Sequence, residues 1–297
     1  MSKKVNIVCF GEVLWDVFPD DEKIGGAPLN VALRLQSLNN DVAIISGVGN
    51  DEKGKKLLEY ITSNGVSTVH VNINEEYKTG EALVSLDAKG LASYVIPFPC
   101  AWDHISVNEH AKKRVQESDA FVYGSLVCRN TVSEQCLLEV SDYARYRVFD
   151  VNLRTPHYTE ACLIRLMQKA NFIKFNDDEL YEIGAILGSK YHALEQNLRY
   201  IAEKTATKHI CVTKGKHGAV LLYDEKLYYN SGYQITVRDT VGAGDSFLAA
   251  LIHRLLHQYD PQEAIDFACA VGALVTQQKG ANPVISEAAI AAFMSPE

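Results

Sequence analysis

The chain has 297 residues, 47% apolar and 22% charged, a composition ordinary for a globular protein with a large core. Twenty-nine basic against 37 acidic side chains give a formal net charge of −8, and no run of Lys and Arg exceeds three residues. Such a surface repels phosphate backbones, which argues against nucleic-acid binding. No apolar stretch reaches the roughly 18 residues that span a bilayer, and Met1-Ser2-Lys3-Lys4-Val5 lacks the apolar region of a secretory signal. The seven cysteines form no Cys-x-x-Cys pair; Cys9 and Cys211 lie in strand-like runs and Cys269 in a helical one. They read as free thiols of a reducing compartment, and the chain as a cytoplasmic enzyme of small metabolites.

In chain order, the apolar runs Val5–Phe10 and Val42–Val48 read as buried strands, the second followed by a helical pattern near Asp51–Asn64. From about Val69 to Asp103 strand-like runs and a Lys89-Gly90 turn appear without a helix. That insert is either an edge hairpin or a lid over a site. Strands at Phe121–Val127, Arg147–Asn152, Phe172–Asn176 and His209–Thr213 then alternate with helices near Ser133–Arg145, Asp177–Leu187 and His192–Lys204. This alternation predicts right-handed βαβ units and a parallel sheet covered on both faces. The expected architecture is one α/β domain over residues 1–297 with a β appendage. Ligands of such sheets bind beyond the carboxyl ends of the strands.

The motifs fall at those ends. Gly11-Glu12-Val13-Leu14-Trp15-Asp16 follows the first strand, and Gly25-Gly26-Ala27-Pro28-Leu29-Asn30 opens a helix. Asp16 and Asn30 can hydrogen-bond a polyol and the glycines permit close approach, although a turn and an N-cap explain the same residues. Gly49-Asn50-Asp51-Glu52-Lys53-Gly54-Lys55-Lys56 nearly fits a P-loop, but Lys56 stands where a magnesium-binding hydroxyl belongs. Asp51 and Glu52 would also repel phosphates, so this reads as a strand-to-helix turn. Asn176-Asp177-Asp178-Glu179 has the spacing of a capping box, and also of an amide and carboxylate facing hydrated magnesium. Thr213-Lys214-Gly215-Lys216-His217-Gly218 joins two strands, its glycines serving either a tight turn or contact with a nucleotide.

The strongest string is Asp239-Thr240-Val241-Gly242-Ala243-Gly244-Asp245-Ser246-Phe247. Phe247, Leu251, Leu255 and Tyr259 continue it as the apolar stripe of a helix. Gly242-Ala243-Gly244 therefore sits where the first amides lack intrahelical partners and the helix dipole favours an anion. Asp245, expected to be ionised there, can accept a hydroxyl proton while those amides stabilise a transferring phosphoryl group.

Together these strings resemble the ribokinase-like sugar kinases, the phosphofructokinase-B type family. Gly25-Gly26 with Asn30, Gly47-x-Gly49-x-Asp51-x-x-Gly54, Asn176-x-x-Glu179 and the Asp239–Asp245 string occur in the family's order over essentially the whole chain. The resemblance implies a ribokinase-like three-layer α/β fold: a central, mostly parallel sheet plus a small β-sheet lid from about residues 12–25 and 70–103. It implies ATP-dependent phosphorylation of a sugar hydroxyl, with Asp245 as general base and Gly242, Ala243 and Gly244 as the anion hole. Asn176 and Glu179 would organise Mg2+ and the phosphates, and Thr213, Gly215, Gly218 and Thr240 would line the nucleotide. Asp16, Gly25, Gly26 and Asn30 would hold the sugar, and lid sheets would pair two copies as a homodimer.

Within the family, Gly11–Asp16, Gly26-Ala27-Pro28 and Asp150-x-Asn152-x-Arg154 look like fructokinases, with Arg154 reaching a sugar oxygen or a phosphate. D-fructose is the implied substrate, and 2-keto-3-deoxygluconate, ribose and nucleosides are alternatives. Many relatives bind K+ at the position of Asp239 with nearby carbonyls, here those near Val241 and Gly280. Val284, however, replaces a hydroxyl residue of that loop. Two rivals differ in class. A dinucleotide oxidoreductase needs G-x-G-x-x-G after the first strand, where Gly11-Glu12-Val13-Leu14-Trp15-Asp16 stands. A non-catalytic sugar sensor would have lost Asp245 or the paired glycines.

Overall fold

The computed structural model describes residues 4–86 and 92–295. The chain begins with β1 (Asn6–Phe10), β2 (Leu14–Phe18), β3 (Asp21–Gly25), α1 (Ala27–Ser37), β4 (Asp41–Gly49), α2 (Glu52–Ser63) and β5 (Ser67–Asn74). It continues through β6 (Gly80–Leu86), β7 (Ala92–Val95), α3 (Glu109–Gln116), β8 (Ala120–Gly124), α4 (Thr131–Ser141), β9 (Arg147–Asp150) and α5 (Glu160–Lys169). Then come β10 (Phe172–Asn176), α6 (Asp177–Ile186), α7 (Leu194–Thr205), β11 (His209–Thr213), β12 (Ala219–Tyr223) and β13 (Lys226–Asn230). The helices α8 (Ala243–Leu256), α9 (Pro261–Thr276) and α10 (Glu287–Met294) follow.

Among the described residues these strands make a nine-stranded sheet, ordered β13-β12-β11-β10-β9-β8-β1-β4-β5, and a four-stranded sheet, ordered β3-β2-β6-β7. The large sheet is parallel from β11 to β5, and β12 and β13 are antiparallel at its edge. Its central strands are apolar on both faces. In β1, Ile7 and Cys9 enter one core with α1, α8 and α9, while Val8 and Phe10 enter the other with α4, α5, α6 and α7. This is the pattern of a parallel sheet sandwiched between helical layers. The chain steps outward from β1 through β4 to β5, then returns to place β8 on the other side of β1. The crevice at that reversal, beyond the ends of β1 and β8, is where such sheets take ligands.

The sequence-based boundaries hold for most strands, with three physical differences. The run Phe121–Val127 leaves the sheet after Gly124 and forms a single 3-10 turn at Leu126–Arg129, which buries Leu126 and Val127. The run Arg147–Asn152 stops at Asp150, because Asn152 has φ +39° and cannot continue a strand. Residues 67–74 pair in parallel with β4 and belong to the large sheet, so the lid consists of β2, β3, β6 and β7 without that segment. The Lys89-Gly90 turn lies outside the described residues. All seven cysteines are free, six of them buried and Cys128 half-buried. Among the described residues no helix is long and apolar enough to cross a membrane.

The near P-loop serves the lid. Asp51 caps α2 by accepting the Gly54 amide (2.7 Å), and it also accepts the Thr79 amide (2.9 Å) and hydroxyl (2.7 Å) just before β6. Its carboxylate is held below the usual range by these donors, which outweigh its partial burial. On the far side of the lid, Arg129 donates from Nε and Nη2 to both Asp103 oxygens (2.7 Å each). Its remaining N–H groups reach the carbonyls of Ile96 (3.0 Å) and Pro97 (2.8 Å), and Trp102 stacks on it 4.0 Å from the ring centre. Both partners of this ion pair are buried, at 2% and 0% side-chain exposure. Arg129→Ala strands the Asp103 carboxylate and is expected to lower the unfolding free energy by about 3 kcal/mol in chemical denaturation; a loss under about 1 kcal/mol would contradict the anchoring role.

Candidate active site

The site gathers around the first turn of α8. Gly242 precedes that helix at φ +73°, and a Cβ there would lie 2.6 Å from the Ala281 Cα. Only glycine fits, because of backbone conformation and the loop packed against it. Gly244 differs: a Cβ on it would meet only the Lys174 ammonium, at 3.4 Å, so the position faces open space beside a cation. The Ala243 amide turns toward the Thr240 carbonyl (3.3 Å) and the Ser246 amide toward Gly242 (2.9 Å). Gly244 and Asp245 are the first-turn residues whose amides have no intrahelical acceptor. Ala243 thus forms the turn, and the Gly244 and Asp245 N–H groups are the donors left at the helix start.

Asp245 accepts a hydrogen bond from Asn30 Nδ2 (2.8 Å), which joins α8 to the first turn of α1. Asn30 in turn accepts from Asn282 Nδ2 (2.7 Å). The helix start favours an ionised Asp245, while burial, reinforced by the neighbouring Asp150 charge, pushes its carboxyl up to about 6 against the pull of Asn30, Lys174 and Arg154. It remains predominantly ionised at neutral pH and is poised as a proton acceptor.

Beneath the hole lies a buried charged cluster. Lys174, from β10, places Nζ 3.0 Å from Asp150 Oδ1 at the end of β9, and both residues are at most 5% exposed. Burial alone would lower the Lys174 pKa; the carboxylates of Asp150, Glu179 and Asp245 outweigh it and hold the ammonium above its ordinary range. Asn176 and Glu179 form a complete capping box: the Glu179 amide donates to Asn176 Oδ1 and the Asn176 amide to Glu179 Oε2, each at 2.8 Å. The Leu153 amide donates to Glu179 Oε1 (2.9 Å), so this carboxylate also ties the loop after β9 to α6. Burial raises the Glu179 pKa against the pull of Lys174. Asp150 Oδ2 is buried without a hydrogen-bond partner. That acceptor, with the remaining lone pairs of Glu179, fits a divalent ion held through water, since hard cations take oxygen ligands.

Asp16, Gly25, Gly26 and Arg154 lie around the same cleft. Asp16 lies on β2, and a Cβ on Gly25 would collide with its carboxylate, so the glycine makes room for the acid. Burial pushes the Asp16 carboxyl up to about 6, with Asp245 raising it and Arg154 lowering it. Arg154 is exposed, with Nη1 on the Leu153 carbonyl (2.9 Å), and its charge acts on Glu12, Asp16 and Asp245 together. Gly26 has φ +110° with its Cβ position 2.5 Å from the Glu12 carbonyl, so the entry to α1 admits no side chain. Glu12 is 3% exposed, and its Oε2 has no partner. Burial pushes its carboxyl up to about 7.

Two loops complete the surroundings. Thr213, at the end of β11, donates to the Phe175 carbonyl (3.3 Å), and Gly215 stands in open space. Gly218 is required by packing, because a Cβ there would strike the Asn230 carbonyl. Thr240 is exposed at the start of the glycine string. Asp239 spends both oxygens on backbone, accepting the amides of Val241 (3.0 Å) and Gly280 (2.9 Å), and so clamps the two loops that flank Gly242. Lys174, Asp150, Glu12 and Asn282 were not singled out as site residues from the sequence. Lys174 carries the one available signal, a lone cation inside a buried apolar strand.

The model of the pfkB family carbohydrate kinases matches residues 4–288. The chain is 29% identical over 318 residues to a probable fructokinase-5 of Arabidopsis thaliana, covering 96% of this chain and 95% of that protein. It is 26% identical over 307 residues to a fructokinase of Salmonella typhimurium, covering 95% of each. The crystal structure of fructokinase from Vibrio cholerae O395, with fructose, ADP and calcium ion bound, superposes with a TM-score of 0.84 at 25% identity. That likeness covers 98% of this chain and 99% of the other.

A carboxyl raised to about 6 is protonated below that pH and cannot accept a proton. A reaction that uses Asp245 as base is therefore expected to lose kcat/KM on acidification, about tenfold per unit once below roughly pH 6. A profile flat down to about pH 5 would contradict the shift.

Proposed function

The chain belongs to the pfkB family of carbohydrate kinases, and we propose that it transfers the γ-phosphoryl group of magnesium-ATP to a hydroxyl of D-fructose. The observation that carries the catalytic part is the Asp245 carboxylate beside the unpartnered first-turn amides of α8, held by Asn30 and backed by Lys174.

In this reading the sugar lies between Asp16, Gly25, Gly26, Asn30 and Arg154, with one hydroxyl directed at Asp245. As that oxygen's lone pair attacks the γ-phosphorus, its proton passes to the Asp245 carboxylate. The bond from the γ-phosphorus to the β–γ bridging oxygen breaks, and its electron pair leaves with ADP. The amides of Gly244 and Asp245 and the Lys174 ammonium face the charge that spreads over the transferring group, where preorganised donors act most strongly. Asn176, Glu179 and Asp150 would hold magnesium through its water shell, and the bound ion supplies neutralisation of the β- and γ-phosphates. Thr213, Gly215, Gly218 and Thr240 would border the nucleotide.

D-fructose is favoured by the Gly11–Asp16, Gly26–Pro28 and Asp150–Arg154 strings and by the fructokinase names of similar proteins. Potassium would sit near Asp239, with carbonyls of Val241 and Gly280. A homodimer through the lid is supported by Leu83 and Val95, a cross-strand pair of the lid that is 41% and 61% exposed. A cytoplasmic location follows from free thiols and ATP as donor.

The test is a coupled ADP-release assay with magnesium-ATP over a panel of sugars and nucleosides, with and without potassium. Turnover concentrated on fructose is the expected result; turnover on another acceptor would overturn the substrate and keep the chemistry. Asp245→Asn is expected to reduce kcat by at least about 100-fold, the usual worth of a positioned base, while thermal unfolding stays close to wild type. Retention of more than about a tenth of the rate would remove Asp245 from that role.

A further inference from the structure

We infer that Asn282 is a positioning residue for the phosphoryl-transfer site, which fixes the side-chain amide of Asn30 so that its N–H, and not its carbonyl, faces Asp245. The inference rests on the reading of Asp245 as the base.

The polarity of the chain of contacts is set from one end. An ionised carboxylate only accepts hydrogen bonds, so the Asn30 atom 2.8 Å from Asp245 Oδ2 must be Nδ2. The opposite atom of the same amide, Oδ1, also only accepts. The Asn282 atom 2.7 Å away must then be its Nδ2. This leaves Asn282 Oδ1 buried and without a partner. An unsatisfied buried carbonyl is costly, yet turning the Asn282 amide to relieve it would set two oxygens against each other at Asn30. The orientation of Asn282 is thus dictated by Asn30, and that of Asn30 by Asp245.

The loop carrying Asn282 is held firmly enough to transmit this constraint. Arg34, 3% exposed on α1, donates from Nη2 to the Pro283 carbonyl (2.9 Å) and from Nε to the Ser246 hydroxyl (3.2 Å), next to Asp245. On the other side Gly280 donates its amide to Asp239 (2.9 Å), and Ala281 packs on Gly242. Asn282 therefore sits between two clamps, one from Arg34 on α1 and one from the Asp239–Gly242 segment that leads into α8.

Asp245 is faced by other charged groups: Glu12 from the segment after β1, Asp16 from β2, Asp150 from β9, Arg154 from the next loop and Lys174 from β10. Among the described residues Asn282 hydrogen-bonds none of them. An uncharged change at position 282 reaches Asp245 through Asn30, whereas an added carboxylate also raises it through space, so the uncharged Asn282→Leu decides the inference.

Two variants test this, assayed as full chain at fixed magnesium and potassium on the sugar that supports wild-type turnover. Asn282→Asp is isosteric but presents only acceptors, so Asn30 reverses and offers Asp245 its carbonyl. Asn282→Leu removes the partner without reversing it. The acid limb of kcat/KM is expected to rise by about one pH unit in Asn282→Asp and by less in Asn282→Leu, since a lost N–H to carboxylate bond disfavours the charged form. The corresponding loss is about fivefold at pH 6, approaches about tenfold at lower pH and is only about a tenth of the rate at pH 8. An unmoved limb in Asn282→Leu, or an equal loss at every pH, would overturn the inference by making Asn282 purely structural. If Asp245→Asn retains turnover, the base reading itself fails. If Asp245→Asn is inactive and Asn282→Leu keeps the wild-type limb, only the present inference fails.

Discussion

The hydrogen bond from Asn30 to Asp245 joins two helix starts separated by 215 positions in the chain, and the geometry of the cleft follows from it. Each residue occupies the first turn of its helix, α1 or α8, so their meeting fixes how those turns approach. Arg34 of α1 adds a second directional contact, to the Ser246 hydroxyl of α8 (3.2 Å), and the interface is otherwise apolar: Leu29, Val31, Leu33 and Leu35 share a core with Phe247, Leu248 and Leu251. Such packing sets the distance between helices far better than their rotation. The directional contacts, Asn30 to Asp245 and Arg34 to Ser246, supply that orientation at the start of α8.

A second constraint is electrostatic. Glu12, Asp16, Asp150, Glu179 and Asp245 crowd one crevice that must also admit a polyphosphate. Two cations and two helix starts oppose them. Lys174 sits among the buried carboxylates, Arg154 covers the outer ones, and the amide ends of α1 and α8 add partial positive charge. The balance is incomplete by design of the geometry, which is why burial prevails and the Glu12, Asp16 and Asp245 carboxyls rise to about 6 or 7.

Residues that work through backbone were legible in the sequence. The Gly242–Asp245 string announces a helix start because glycines, an acid and an apolar stripe follow in order, and Asn176 with Glu179 announces a capping box by spacing alone. Strand positions were legible for the same reason: burial on both faces leaves continuous apolar runs such as Ile7–Phe10. What was hidden depends on contacts between distant segments. Nothing local marks Asn282 as the neighbour of Asn30, or Asp150 as the partner of Lys174 across adjacent strands β9 and β10. The lid boundary was misjudged at residues 67–74 because a strand-like run does not reveal which sheet it joins. The ends of two strands were misplaced where a 3-10 turn and a positive φ at Asn152 interrupt apolar sequence.

The lid is part of the site rather than a cover added to it, since Asp16 and Gly25 belong to its strands β2 and β3. Whatever holds those strands to the body therefore holds the sugar-side carboxylate. On one side Lys53 of α2 bridges Glu22 and Glu81, each at 2.7 Å, and its carbonyl accepts the Trp15 indole N–H (3.2 Å). These ion pairs are roughly a third to a half exposed, so each contributes about 1 kcal/mol or less. On the other side the buried Arg129–Asp103 pair grips the chain that leaves β7, and breaking it is several times more costly. The buried ion pair thus anchors the β7 end, while β2 and β3 are held by the buried Leu14, by Trp15 and Ile24 packed on the main core and, through β6, by the Asp51–Thr79 hydrogen bonds. Asp16 is therefore carried by the small sheet and Asp245 by the packed helices α1 and α8, so the two carboxylates of the crevice are positioned by different parts of the fold.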